Sequence, residues 1–176
     1  MRQEIHQWKN FEKLEFNNQV FDDIDLSIFA NNCTNDSNDF NTKLTFENCH
    51  IKRFCTMIQL LTKNIVFKNC KIESIYSIGT QFIGGLEMIN CVIEKNASFD
   101  SIGHNLKSNN FIIDKCIFNE YVDFFDCYFE GFVKITNNEF KQGTNIGIYL
   151  QRPFGIKDDI DFKLENNIGN IFKYAD

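Results

Sequence analysis

Apolar and polar residues alternate in a short pattern that recurs seven times along the chain. Each copy reads apolar, any, apolar, any, Asn, Cys or Asn, any, apolar. Alternation with a period of two is typical of β-strands, so each copy predicts two short strands that meet at a polar corner. The copies begin at Leu14, Leu44, Ile65, Leu86, Phe111, Val133 and Phe162.

The corner of each copy has a strong residue preference. Asparagine tolerates the left-handed backbone conformation, and its amide bonds neighbouring backbone, so it suits a sharp bend. If the copies stack at the ~4.8 Å strand spacing, the corner amides can hydrogen-bond from coil to coil as a ladder. The corner residues are Asn18, Asn48, Asn69, Asn90, Lys115, Asn137 and Asn166.

Cysteine follows the corner in four consecutive copies, at Cys49, Cys70, Cys91 and Cys116. Free cysteine behaves as a small buried hydrophobe, so we expect these four thiols to form a buried, reduced column inside the stack. A linear column does not enclose a tetrahedral zinc ion, and no CxxC motif is present. We therefore expect no metal site and no cofactor.

Successive copies are separated by 30, 21, 21, 25, 22 and 29 residues. Such a coil has room for three short strands and their turns, and parallel strands joined this way wind right-handedly. The sequence predicts an all-β fold, a right-handed parallel β-helix solenoid of about seven coils. We expect one domain over 1–176, with a cap over 1–13 that includes a short amphipathic helix, coils over 14–169 and a tail over 170–176 that covers the other end.

Two stretches resemble known solenoid families. The segment KITNNEFKQGTNIGIYLQ, Lys134–Gln151, resembles a coil of the pectin-lyase-like β-helix families, with Asn137 and Asn138 at the corner and GIYL as the following strand. This resemblance implies architecture and carries no catalytic motif. A weaker resemblance is to pentapeptide-repeat proteins. Their five-residue period resembles the spacing of apolar residues at Phe46–Ile51, Phe67–Ile72 and Phe124–Phe129.

Composition and charge exclude several classes of function. The net charge is -6, and no dense cluster of lysine or arginine exists, which argues against general nucleic-acid binding. The chain shows neither the apolar segment of a signal peptide nor ~20 consecutive apolar residues, so we expect no membrane association. Seven cysteines without the spacing of a small disulfide scaffold favour a reducing cytoplasm.

Candidate catalytic groups do not assemble into a recognised motif. His6, His50 and His104 have no nucleophile or carboxylate partner at a triad spacing, so we expect no catalytic residues. The adjacent acidic pairs Asp22–Asp23 and Asp158–Asp159 are typical of a solvated surface, because neighbouring residues on a strand point opposite ways.

The longer coils carry their extra polar residues at 31–43, 100–110 and 151–161. Since each insertion comes just before the next motif copy, we expect all three to leave the same corner and to line one side of the solenoid. The RPFG tip, Arg152–Gly155, holds the single proline and a Phe beside an Arg, which suits an interface anchor. The candidate binding residues are Asp36, Asp39, His104, Lys107, Arg152, Phe154, Asp158 and Asp159.

These observations favour a non-catalytic interaction module that binds a protein partner through the loops on one side. A carbohydrate-active enzyme or a sugar-binding β-helix that uses the same loops is the alternative, and aromatic platforms with positioned carboxylates would support it.

Overall fold

The computed structural model describes residues 5–29, 39–150 and 155–174, and these form a parallel β-solenoid. The predicted fold class is confirmed, but the solenoid has about five turns instead of the predicted seven. All seven motif copies nevertheless form strands of one sheet, and the last copy is followed by turns and a bridge at Ile168.

The motif copies form a continuous sheet, here called face A. Neighbouring copies pair in parallel and in register, so that Phe46 lies beside Phe67 and Phe67 beside Met88. The strands of face A are Lys13–Asn17, Lys43–Glu47, Ile65–Lys68, Leu86–Ile89, Phe111–Asp114, Val133–Thr136 and Phe162–Glu165.

A second sheet, face B, follows the asparagine corner. Its two longest strands lie in the middle of the sheet, and each neighbouring coil contributes two shorter strands or one. The strands of face B are Val20–Phe21, Ile24–Asp25, His50–Met57, Lys71–Ile78, Val92–Ile93, Ala97–Asp100, Ile117–Phe118, Val122–Asp123 and Glu139–Phe140.

The third side, face C, is the least regular. Within the described ranges, only Asp39–Phe40 and Leu60–Leu61 pair there as strands. Single parallel bridges then link Leu60 to Gln81, Gln81 to Gly103 and Gly103 to Tyr128, and Phe129 bridges Ile156. Face C therefore aligns the coils through one or two residues each.

The predicted left-handed corner is confirmed in every copy of the motif. All seven corner residues have φ between 52° and 58°, including Lys115. Side-chain amides bond from coil to coil, with Asn69 Nδ2 donating to Asn48 Oδ1 at 3.3 Å and Asn90 Nδ2 to Asn69 Oδ1 at 2.8 Å. At the lysine corner, Asp114 Oδ1 accepts the bond from Asn137 Nδ2 at 2.9 Å. A neighbouring carboxylate thus replaces the missing amide.

A second left-handed corner, which the sequence pattern does not predict, joins face B to face C. It is formed by Ile58, Gly79, Ser101 and Asp126, with φ between 50° and 60°. Ile58 is the unusual member, because a β-branched residue rarely adopts positive φ. Its side chain is 69% exposed, so no burial compensates for the backbone strain.

The core consists of columns of identical or similar side chains. The Phe16 and Phe46 rings stack at 5.1 Å, and the Phe46 and Phe67 rings stack at 5.2 Å, close to the spacing between coils. The four predicted cysteines are buried and free, as expected. Their thiols donate weak hydrogen bonds to backbone carbonyls, such as Cys70 Sγ to Phe46 O at 3.3 Å.

The N-terminal end of the core is covered by a 3₁₀ helix, Ile5–Asn10, where the sequence predicts a cap. Trp8 is buried in it and packs on Phe16 with ring centroids 4.9 Å apart. Thr42 Oγ1 donates to Trp8 O at 2.7 Å and ties the cap to the next coil. A second 3₁₀ helix spans Leu26–Phe29.

The predicted strand at GIYL is wrong, because Ile146–Leu150 forms an α-helix. Ile146, Tyr149 and Leu150 are buried, and their spacing of three and four residues places them on one helical face. Thr144 Oγ1 accepts a hydrogen bond from the Ile146 amide at 3.3 Å, as a residue at a helix start does. In the described part of the chain, no helix is both long and apolar enough to cross a membrane.

Replacing Phe67 with Ala is expected to lower the free energy of unfolding by ~3–5 kcal/mol, because the ring is buried, stacks on Phe46 and meets Phe54 edge-on. Urea denaturation measures the loss. Val20→Ala, at a side chain that is 64% exposed, serves as the control and is expected to change stability by about 0.5 kcal/mol or less. Equal losses from both variants would contradict the described core.

Replacing Ile58 with Asn is expected to stabilise the protein by ~1 kcal/mol, because asparagine adopts positive φ with less strain. The same substitution at Val20, on an extended strand, is expected to give no gain. Thermal and urea denaturation of both variants check this, and a loss of stability in Ile58→Asn would show that the isoleucine makes contacts that outweigh its strain.

Candidate functional site

The three insertions are only partly described, and two of the described parts lie at one corner. Residues 104–110 and 157–161 both lie between face C and face A, so the second and third insertions share the corner that the sequence predicts. The described part of the first insertion is 39–43, which begins with the face C strand Asp39–Phe40. The segments 30–38 and 151–154 lie outside the described residues, so the corner that they leave stays a prediction.

Three of the predicted binding residues, Asp36, Arg152 and Phe154, lie outside the described residues. Asp39 lies in a face C strand, and its Oδ1 is buried without a hydrogen-bond partner among the residues that are described. The remaining four, His104, Lys107, Asp158 and Asp159, lie between face C and face A of two different coils.

The loop 104–110 is held in one conformation by buried amides. Asn105 is fully buried, and its Nδ2 donates to Asn109 O at 2.7 Å. Asn109 Nδ2 in turn donates to Ile83 O of the preceding coil at 2.9 Å. The Asn109 amide closes a tight turn on Leu106 O at 2.7 Å. These bonds fix the backbone of the loop before any ligand is present.

Gly131, in the next coil, lies directly under this loop. A Cβ atom at that position would stand 2.3 Å from Leu106 O and 2.7 Å from Asn109 O, so only glycine fits. The Gly131 amide also donates to Asn105 Oδ1 at 3.4 Å. The close approach allows the loop to arch across this coil.

Charged side chains connect the loop to the two following coils. Lys107 Nζ lies 2.7 Å from Asp159 Oδ2, and Lys157 Nζ lies 3.9 Å from Glu130 Oε2. His104 Nδ1 lies 3.1 Å from Glu130 Oε1, and because a carboxylate only accepts, the imidazole donates. His104 also contacts the Tyr128 ring, with centroids 5.5 Å apart.

We call this surface the loop patch. Leu106, which is 51% exposed, is its apolar member, and the charged groups surround the loop that carries it. The structure thus brings together Lys107, Asp159 and His104, which the sequence predicts, with groups that it does not predict. The loop patch comprises His104, Leu106, Lys107, Glu130, Lys157, Asp158 and Asp159.

Glu130 and Lys157 were missed because they belong to coils whose face C register is not readable from sequence. The bridges from Gly103 to Tyr128 and from Phe129 to Ile156 are what align them. Given those two bridges, Glu130 lies opposite Lys157, and His104 lies opposite Phe129, one position before Glu130.

A shallow groove lies elsewhere, on the outer surface of face B. Two tyrosines and a carboxylate line it, and Asp123 Oδ1 accepts hydrogen bonds from Asn145 Nδ2 at 2.6 Å and from the Phe125 amide at 3.0 Å. The Tyr121 hydroxyl donates to Lys173 O at 3.0 Å. The groove is lined by Tyr76, Asn96, Ala97, Ser98, Tyr121 and Asp123.

The buried thiols are poor nucleophiles. Burial, together with the nearby Asp25 carboxylate, raises the pKa of Cys55 to about 11. Hydrogen bonding with Cys116, together with burial, raises the pKa of Cys91 to about 12. Since thiolates are the reactive form, these cysteines are protonated and structural at neutral pH.

Comparison of the chain with protein-family models, with curated proteins and with solved structures finds no match.

The contact between Lys107 and Asp159 predicts a measurable titration. The hydrogen bond and charge of Lys107 hold the pKa of the Asp159 carboxyl below its ordinary value of 3.8. Replacing Lys107 with Gln is expected to raise the Asp159 pKa, as followed by the carboxyl carbon shift in an NMR titration. Asp22, whose pKa is lowered by Lys52 on face B, is the internal control and is expected to remain unchanged. An unchanged Asp159 pKa would mean that the two segments do not meet in solution.

Proposed function

We propose that this protein is a non-catalytic interaction module that binds a protein partner through the loop patch. The observation that carries the proposal is the fixed conformation of loop 104–110, which presents the half-exposed Leu106 from a backbone anchored by the buried Asn105. Binding residues lie disproportionately on loops that a rigid scaffold positions, and this loop is ordered by its own asparagine amides.

Preorganisation supports binding in energetic terms. A partner that docks on a flexible loop loses part of the interaction energy to ordering that loop. Here Asn105, Asn109 and Gly131 already hold the turn. More of the free energy gained by burying Leu106 against a partner is therefore expected to appear as affinity.

The charges of the loop patch favour a protein over a polyanion. Lys107 and Lys157 are each paired with a carboxylate, and Asp158 adds a further negative charge. A mixed charged rim around an apolar residue is typical of protein interfaces, which exclude water from a small apolar centre.

A sugar ligand on the face B groove is the second candidate. The observation that favours it is the combination of Tyr76 and Tyr121 with Asp123, Asn96 and Ser98 along one depression. Aromatic faces stack on apolar surfaces of a ligand, while carboxylate and amide groups fix its orientation by hydrogen bonding. This candidate moves the sugar site from the loops, where the sequence predicts it, to a sheet.

We also propose a reducing compartment, the cytoplasm, as the location of the protein. Six cysteines in the described residues are free and buried, which suits a compartment that keeps thiols reduced.

The test of the proposed function is quantitative capture of partners from a lysate of cells that produce this chain. Leu106→Glu is expected to abolish the enrichment of a specific protein, and with that protein purified the dissociation constant is expected to rise at least ~30-fold, as for an interface hot spot. Gly131→Ala keeps the leucine side chain at position 106 but displaces the loop that carries it. This variant is therefore expected to weaken binding as well.

Val20→Glu is the matched control, because Val20 is an apolar residue on face B that is 64% exposed, against 51% for Leu106. Retained binding in Leu106→Glu, or equal loss in Val20→Glu, would contradict the loop patch as the interface. A glycan array with the wild type, Tyr76→Ala and Leu106→Glu examines the second candidate. Glycan binding that Tyr76→Ala abolishes and Leu106→Glu leaves unchanged would favour the sugar ligand.

A further inference from the structure

Three potential metal ligands from three neighbouring coils converge on the outer surface of face B. Ligand atoms of His50, Glu73 and Glu94 all lie within 4.8 Å of one another. Ile72 pairs with Ile51 on one side and with Ile93 on the other, so the residues next to these isoleucines are neighbours across the coils. The cluster is therefore positioned by the backbone register of the sheet.

His50 has an unused nitrogen that faces this cluster. Its Nε2 atom is buried and has no hydrogen-bond partner among the described residues, although a buried polar atom normally has one. The nearest carboxylate oxygen, Glu73 Oε1, is 3.7 Å away, which is too long for a hydrogen bond. Two ligands at ~2.1 Å from a tetrahedral zinc ion stand ~3.4 Å apart, close to the observed separation.

The two glutamates are held in place by lysines that leave part of each carboxylate available. Lys95 Nζ binds Glu73 Oε2 at 2.8 Å, while the other oxygen, Oε1, faces His50. Lys71 Nζ lies 3.0 Å from Glu94 Oε1. Groups that orient ligands from outside the metal shell are a regular part of metal sites.

Electrostatics also favour a cation between these side chains. Like charges on adjacent strands of a sheet are destabilising, and Glu73 and Glu94 are such a pair. The side chains are only partly exposed, at 35% for His50, 22% for Glu73 and 32% for Glu94.

We propose that His50, Glu73 and Glu94 bind a zinc ion on face B. One imidazole and two carboxylates form a nitrogen and oxygen ligand set that suits Zn²⁺, and three protein ligands leave the fourth tetrahedral position open to water or to an acidic group of a partner. Ca²⁺ prefers six to eight oxygen ligands, and Mg²⁺ prefers octahedral oxygen ligands, so both fit this set less well. The site is independent of the loop patch.

The sequence pattern does not reveal this site, because its residues occupy different positions relative to the corners. His50 comes two residues after Asn48, whereas Glu73 and Glu94 come four residues after Asn69 and Asn90. Glu73 and Glu94 lie side by side in register, and His50 approaches Glu73 diagonally from the preceding coil.

The test is isothermal titration of chelator-treated protein with zinc chloride. The wild type is expected to bind one zinc ion per chain, and His50→Gln, Glu73→Gln and Glu94→Gln are each expected to bind at least ~10-fold more weakly. His104→Gln is the matched control, because His104 also faces a glutamate but lies on the loop patch, and it is expected to bind zinc as the wild type does. An excess of Mg²⁺ or Ca²⁺ is not expected to displace the zinc.

Circular dichroism of each variant checks that the solenoid is intact. If His50→Gln does not fold, the zinc affinity of Glu94→Gln tests the proposal in its place. X-ray absorption at the zinc edge distinguishes this site from binding to thiols, since nitrogen and oxygen ligands lie at ~2.0–2.1 Å and sulfur at ~2.3 Å. No zinc binding by the wild type, unchanged affinity in the ligand variants, or sulfur in the first shell would each overturn the proposal.

Discussion

Backbone hydrogen bonding between coils is the constraint on which the rest of this structure depends. Each coil pairs in parallel with the next, and the register places Phe46, Phe67 and Met88 side by side on face A. A residue type that suits one coil therefore suits its neighbours at the same position. The stacked phenylalanine rings, the column of thiols and the left-handed asparagine corners all follow from that single alignment.

The sequence predicts the parts of the fold that repeat often and in regular order. Face A and its corner are predictable, because alternation recurs in every copy and asparagine in all but one, where Lys115 keeps the same backbone conformation. Face C is not predictable, because each of its coils contributes only one or two paired residues, which carry no periodicity. The corner at Ile58 is not predictable for a different reason, because isoleucine rarely adopts a positive φ and so does not indicate one.

The residues of the candidate sites likewise differ in whether the sequence predicts them. Lys107 and Asp159 stand out in sequence as charged residues in long insertions, and the structure brings them together. Glu130 does not stand out, because it belongs to a short turn and gains its position from the register of face C. His50 and Glu73 likewise become neighbours only through strand pairing. In a solenoid, the residues that form one surface site come from several coils. Inspection of the sequence along the chain therefore identifies only some of them.

The middle of the stack contains a segment that is interchangeable with its neighbour. The coils that begin at Leu44 and Ile65 have the same length of 21 residues, the same corner residue and the same thiol. Loss or duplication of one such segment in a single genetic event would leave the pairing partners on either side correctly matched. This region of the gene can therefore lengthen or shorten the protein by whole coils during evolution, and so change the distance between the N-terminal cap and the loop patch without redesigning either.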